Sequence, residues 1–153
     1  DTIDVIEPSI RDVSVTYSKG SGPSIVCDVG WERLVPLGVM GEGVSRLLEI
    51  SLSFVDCQGG ALLIDEIENG LHHSVHEDIW RNLYNLANEF DTQVFATTHS
   101  YECIEAAHNA FQKAEEYDFQ LIRLESSGER GVRPVQYDCE ELEAAIEGGF
   151  EVR

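Results

Sequence analysis

Residues 61–66 read Ala-Leu-Leu-Ile-Asp-Glu, an unbroken apolar run that ends in two adjacent carboxylates. Four consecutive apolar residues are typical of a strand buried on both faces, as in a parallel sheet covered by helices. Carboxylates that follow such a strand lie at its carboxyl end, where α/β folds bind their ligands. We therefore expect a ligand site at Asp65 and Glu66. The alternative is that they are two solvated charges that merely end a strand.

The pattern on both sides of this run predicts the fold class. Apolar residues recur at helical spacing from residue 44 until Gly59-Gly60 stops that helix. Downstream, the same reasoning gives further elements: a helix at about 74–89, a strand at 92–97 and a helix at 101–115. Alternating strands and helices predict an α/β fold with a mainly parallel sheet flanked by helices.

Shorter strands are predicted at the edges of this core. Their positions are 10–17 and 24–29 as one β-hairpin, a short strand at 33–36, and a second hairpin of 119–124 with 132–137. The acidic segment 139–147 predicts a last helix. We expect a single domain over 1–153, made of a hairpin and edge region (1–36), a core (37–116) and terminal strands with a helix (117–153).

Charge and cysteine content limit the functions that this chain can have. It carries 29 acidic and 10 basic residues, a net charge of −19, which repels phosphate backbones and anionic membranes. This charge argues against direct nucleic-acid binding by the chain itself. No apolar run approaches the length of a membrane span, so none is predicted. The 4 cysteines lack any metal-binding spacing, which predicts reduced thiols and a cytoplasmic location.

The polar residues near the strand ends suit phosphoryl chemistry. Asp65 offers the hard oxygen ligand that Mg²⁺ prefers, and Glu66 can orient and deprotonate a water molecule. His99 follows the strand 92–97 and could contact a terminal phosphate. The segment 41–43, Gly-Glu-Gly, opens a helix whose free N–H groups form an anion site. These parts fit phosphoryl hydrolysis, but the P-loop pattern G-x-x-x-x-G-K-[ST] is absent.

Three segments resemble the motifs of a known ATPase family. Residues 63–72 (LIDEIENGLH) resemble a Walker B motif with its D-loop, and residues 96–100 (ATTHS) a switch-histidine loop. Residues 40–48 (MGEGVSRLL) resemble a signature motif. In this order and spacing, the segments resemble the carboxyl-terminal half of an ABC-type ATPase domain of the OLD and RecF-like AAA group, relatives of SMC heads. The resemblance covers residues 33–153.

The resemblance implies ATP and Mg²⁺ as cofactors and gives each matched residue a role. Asp65 would serve Mg²⁺, Glu66 would be the catalytic base, and His99 would be the γ-phosphate switch. The other expected contacts to nucleotide or to the dimer seam are Gly41, Glu42, Gly43, Arg46, Asn69 and His72. The signature segment would contact ATP bound to the opposite subunit, so the resemblance implies a homodimer closed by ATP.

The same resemblance implies partners that this chain does not contain. An amino-terminal lobe of the same protein would supply the P-loop, and the chain alone would then be inactive. The start at Asp1, without Met, fits a piece of a longer protein. A nuclease or effector partner is compatible with the family. Gly41 occupies the position of the signature serine of relatives, which predicts phosphate contact through backbone N–H groups and slow turnover.

Alternative interpretations remain open from the sequence. One is a metal-dependent nuclease or phosphohydrolase built on a set of acidic and histidine residues: Asp65, Glu66, Glu68, His72 and His76. It rests on positions 72 and 76 sharing a helical face. Another is a non-catalytic docking module. Glu68 could assist Glu66 or shape the turn, and Arg46 could contact phosphate or pair with Glu42 or Glu49.

Overall fold

The computed structural model describes residues 7–18, 20–126 and 131–149. The strands are β1 Asp12–Ser18, β2 Ser21–Asp28, β3 Val35–Pro36, β4 Ala61–Ile64, β5 Gln93–Ala96, β6 Leu121–Ser126 and β7 Val132–Tyr137. The α-helices are α1 Glu42–Asp56, α2 His76–Phe90, α3 Tyr101–Gln112 and α4 Cys139–Glu147. Short 3-10 helices cover Leu37–Val39 and His73–Val75.

The predicted parallel pairing is present at the centre of the fold. Strands β4 and β5 run parallel, with Ile64 opposite Ala96, so both strands end at the same edge. Helices α1, α2 and α3 pack together with this pair in one apolar cluster. The fully buried Phe54 of α1 is among its largest side chains, and burying a side chain of this kind stabilises a fold by roughly 1.5–3 kcal/mol. This packing fixes α1 against β4 and the other two helices.

The prediction that β4 is buried on both faces is wrong for this chain. Leu62 and Ile64 point into the cluster, whereas Leu63 is 76% exposed. Its register partner Phe95 is 53% exposed. The reason is that all three neighbouring helices contribute to the same cluster, so the described residues leave the other face of the pair open.

The hairpins are confirmed, but they form sheets of their own rather than edges of the parallel sheet. Strands β1, β2 and β3 make one antiparallel sheet, and β6 with β7 makes another. Hairpin strands pair with their nearest neighbours in sequence, which needs only a tight turn. The predicted loop of the second hairpin, 125–131, lies partly outside the described residues, which omit 127–130 as well as 1–6, 19 and 150–153.

The terminal helix is attached through a small apolar cluster. Asp138 caps α4 by accepting the N–H of Glu141, while the Glu141 carboxylate accepts the N–H of Asp138. Leu142 of α4 is fully buried against Ile104 of α3. All of the cysteines are free thiols, and the cytoplasmic location predicted from them stays a prediction. Among the described helices, none combines the length and apolarity needed to cross a bilayer.

Candidate functional site

A cleft of about 730 Å³ lies between the start of α1 and the end of β4. It is lined by residues of both elements and of the turn that follows β4, among them Gly41, Glu42, Arg46, Asp65, Glu66, Asn69 and Gly70. The fold therefore brings most of the residues predicted as nucleotide contacts to one place. His72 and His99 lie on the flanking segments, after that turn and after β5.

Thr97 joins the ends of the two parallel strands and orients Asp65. Its hydroxyl donates to Oδ1 of Asp65 at 2.6 Å and accepts the N–H of Glu66 at 2.9 Å. Its backbone N–H donates to the carbonyl of Ile64, and its carbonyl accepts the N–H of Ile67. Because a hydroxyl that donates to one atom and accepts from another is fixed in direction, the Asp65 carboxylate is held in one orientation. No signal in the sequence separated Thr97 from Thr98 in this role.

Glu66 has a backbone conformation that few side-chain-bearing residues adopt. Its φ is +48°, in the left-handed region, where Asn, Asp and glycine are more usual. Residues held in such conformations cost on the order of 1–3 kcal/mol and cluster at functional sites. The side chain is exposed, next to the cleft. The sharp turn is what directs Glu66 and Asp65, adjacent in sequence, toward the same cleft.

The loop that carries His99 is anchored to the turn after β4. The backbone N–H of His99 donates to Oε1 of Glu68 at 2.8 Å. Burial raises the pKa of Glu68, but hydrogen bonds from the backbone of His99 and from Thr98 outweigh it, and the pKa lies below its usual range. Glu68 is therefore an anion at neutral pH. The imidazole of His99 stays exposed.

Helix α1 begins without a side-chain cap. Gly41 is the N-cap residue with φ +107°, and no side chain accepts a hydrogen bond from the first turn. First-turn N–H groups that lack such a partner are available to an anion. Gly43 lies so close to the turn after β4 that a Cβ there would come within 2.9 Å of the Gly70 carbonyl oxygen. The absence of a side chain at Gly43 thus allows α1 and the turn to approach.

Arg46 makes a contact that neither sequence alternative included. Its Nη2 donates to the backbone carbonyl of Asp65 at 2.8 Å, which joins α1 to the end of β4. The predicted pairing with Glu42 or Glu49 is therefore replaced by a bond across the cleft. Contact with phosphate is a separate expectation that stays a prediction. The acceptor is a backbone carbonyl 19 residues away in sequence, so the helical spacing of residues around Arg46 could not predict this contact.

The histidines do not form the metal site that one alternative requires. His72 caps the 3-10 helix through Ser74, so it is not on the helix that begins at His76. His76 is only 4% exposed, and burial lowers its pKa more than the Leu71 backbone and the charge of Glu68 raise it. Within the described ranges, no group of three or more His, Cys, Asp or Glu residues is placed to hold a metal ion.

The donor set of the cleft nevertheless fits Mg²⁺ together with a phosphate ligand. Mg²⁺ keeps several waters and is usually held by one or two carboxylates plus substrate phosphates, rather than by an all-protein cage. A single exposed carboxylate, Asp65, oriented by Thr97, meets that requirement. Asn69 and His72 are exposed on the turn and the segment that follows it.

A comparison with protein families gives a match to the part of the chain that contains this cleft. A family model described as "AAA domain, putative AbiEii toxin, Type IV TA system" matches residues 7–105. An "ATP/GTP phosphatase" of Helicobacter pylori (strain ATCC 700392 / 26695) is 40% identical over 74 residues. That match covers 46% of this chain and 20% of the relative, so this chain matches about a fifth of the relative's length.

Solved structures show the fold. One described as "Structural biochemistry of ATP-driven dimerization and DNA stimulated activation of SMC ATPases" has a TM-score of 0.60 at 11% identity, covering 95% of this chain and 86% of that one. Another, "Crystal structure of the SmcHead bound to the C-winged helix domain of ScpA", has a TM-score of 0.61 at 14% identity, covering 95% and 42%. The chain has the α/β fold of SMC ATPase heads and belongs to the AAA-domain family that matches residues 7–105.

Proposed function

We propose that this chain is part of an ATP-binding, ATP-hydrolysing head of an OLD- and RecF-like AAA protein, which dimerises around nucleotide. The observation that carries the proposal is the Thr97 hydroxyl, which joins Asp65 and Glu66 to the loop of His99 beside the uncapped start of α1. Membership of an AAA-domain family supports the ATPase class. The name of the Helicobacter pylori relative, an ATP/GTP phosphatase, supports nucleotide hydrolysis.

Each residue of the cleft has a distinct task in this proposal. Asp65 would hold Mg²⁺, which neutralises charge on the phosphates when bound. Glu66 would orient the attacking water and accept its proton, which its exposed position beside Asp65 allows. His99 would contact the terminal phosphate from the neighbouring strand end. Arg46 would keep α1 and the end of β4 at a fixed separation through its bond to the Asp65 carbonyl.

The start of α1 and the turn after β4 would face a second copy of the protein. The free N–H groups at Gly41, Glu42 and Gly43 would bind the phosphate of ATP held by the partner. Asn69 and His72, both exposed, would line the seam. One of the similar SMC structures is described by ATP-driven dimerization, which supports the same arrangement here.

The open face of β4 and β5 supports a further lobe of the same protein. Parallel sheets are covered on both faces, and a sheet of two strands is marginal on its own. Leu63 and Phe95, paired in register and exposed, would be covered by an amino-terminal lobe that carries the P-loop. We therefore regard residues 1–153 as the carboxyl-terminal part of one head and expect no hydrolysis by this part alone.

The first test of the proposal is ATP hydrolysis by the full-length protein. Glu66→Gln removes the base but keeps the shape, so we expect hydrolysis to fall by about 10²-fold or more. ATP binding should be retained. The matched control is Glu89→Gln, which makes the same chemical change at an exposed position of α2. Equal rates for wild type, Glu66→Gln and Glu89→Gln would contradict the proposed role of Glu66.

A further inference from the structure

Glu68 is a carboxylate beside this cleft that the proposed chemistry does not use. It lies in the turn after β4, but the backbone makes the hydrogen bonds of that turn. Asn69 N–H donates to the Glu66 carbonyl, and Leu71 N–H donates to the Glu68 carbonyl, both at 3.0 Å. These two backbone hydrogen bonds close the turn without the carboxylate of Glu68.

The side chain of Glu68 is directed to the other strand end instead. Its Oε1 accepts the backbone N–H of His99 at 2.8 Å, across 31 residues of sequence. Its Oε2 is buried and has no hydrogen-bond partner among the described residues. Burying a carboxylate oxygen without a partner costs free energy, and the hydrogen bond from the His99 N–H to Oε1 offsets this cost.

We propose that Glu68 is a positioning residue for His99. Its carboxylate accepts one charge-assisted hydrogen bond from the main chain of the switch-histidine loop (96–100). This bond fixes the position of the His99 imidazole relative to Asp65 and Glu66. The inference rests on the proposed ATPase function and extends it. Movement of the turn 66–71, which the proposal places at the dimer seam, would reach His99 through this bond without any contact between the side chains of Glu66 and His99.

The test uses the full-length protein with substitutions that separate the acceptor from the charge. Glu68→Gln keeps a side-chain oxygen that can accept the His99 N–H, whereas Glu68→Ala removes it. We expect kcat for ATP hydrolysis to fall about tenfold in Glu68→Ala, equal to about 1.4 kcal/mol in the barrier, with KM for ATP little changed. Glu68→Gln should remain within about threefold of wild type, since the acceptor is kept. Glu89→Ala is the control for loss of a carboxylate.

A double-mutant cycle separates positioning from a general loss of structure. If Glu68 acts through His99, Glu68→Ala should cause little further loss of kcat in a protein that already carries His99→Ala. Hydrogen exchange gives a readout that is independent of activity. The amide of His99 should exchange at least tenfold faster in Glu68→Ala and at nearly the wild-type rate in Glu68→Gln.

The possible outcomes distinguish a failure of this inference from a failure of the proposed function. If Glu66→Gln and His99→Ala lower hydrolysis but Glu68→Ala leaves kcat and His99 exchange unchanged, the positioning role is wrong and the ATPase proposal stands. Equal losses from Glu68→Ala with and without His99 would also overturn the role. If Glu66→Gln has no effect on hydrolysis, the ATPase proposal fails, and unchanged His99 exchange in Glu68→Ala then overturns the contact as well.

Discussion

The two faces of the β4–β5 pair differ in whether helices cover them, and this difference is present within the four residues of β4. On one face, Leu62 and Ile64 are buried beneath α1, α2 and α3. On the other, Leu63 and Phe95 face each other in register and are exposed. Buried apolar area is the main stabilising contribution to a fold, so the helix-covered face carries the stability of this part of the chain. In the proposed function, the open face is where a further element of the same protein packs.

The largest expected effect comes from truncating the covered face. Ile64→Ala removes a buried side chain from the cluster and should lower the free energy of unfolding by about 2–5 kcal/mol. Leu63→Ala, the adjacent residue of the same strand on the open face, should change it by about 0.5 kcal/mol or less. Urea denaturation of the 153-residue chain measures both. Equal losses at the two positions would contradict the difference between the faces.

The same two substitutions, made in the full-length protein, test whether the proposed lobe covers the open face. If the proposed lobe covers the open face, Leu63 becomes buried there, and Leu63→Ala should then cost about 2–5 kcal/mol. Ile64→Ala should cost the same in both lengths of protein. A Leu63→Ala effect that stays near zero in the full-length protein would mean that the face is not covered by that lobe.

A smaller effect is expected where α1 meets the turn after β4. In Gly43→Ala the new Cβ would come within 2.9 Å of the Gly70 carbonyl, so the turn must move, at a cost of about 1–3 kcal/mol. Gly38→Ala is the matched control, because its Cβ would meet nothing within 4 Å. Thermal unfolding measures both. A Gly43→Ala protein as stable as Gly38→Ala would show that the close approach of α1 and the turn is not required.

The sequence predicted the elements well because local signals define them. The parallel pairing of β4 and β5 follows from two apolar runs separated by a helix. The last helix, predicted from the acidic segment 139–147, is α4, Cys139–Glu147. Which face of β4 is covered could not be predicted, because an unbroken apolar run has no periodicity to distinguish its two sides.

The contacts inside the cleft were less predictable, since they join residues far apart in sequence. Arg46 bonds to a backbone carbonyl, an acceptor that every residue has, so no residue type marks its partner. The expected shared face of His72 and His76 is interrupted by the 3-10 helix His73–Val75. The candidate residues Asp65, Glu66 and His99 were identified from the sequence, but the parts of Thr97 and Glu68 in arranging them required the structure.

If nucleotide closes two copies of this head, as we propose, the mass of the protein in solution must change when nucleotide is added. The protein is the full-length form with Glu66→Gln, which should bind ATP without hydrolysing it, measured with and without Mg·ATP. We expect a monomer without nucleotide and a dimer with it, and loss of the dimer on adding Gly43→Ala but not Gly38→Ala. A monomer under both conditions, with ATP bound, would contradict the dimerising head and favour a docking module.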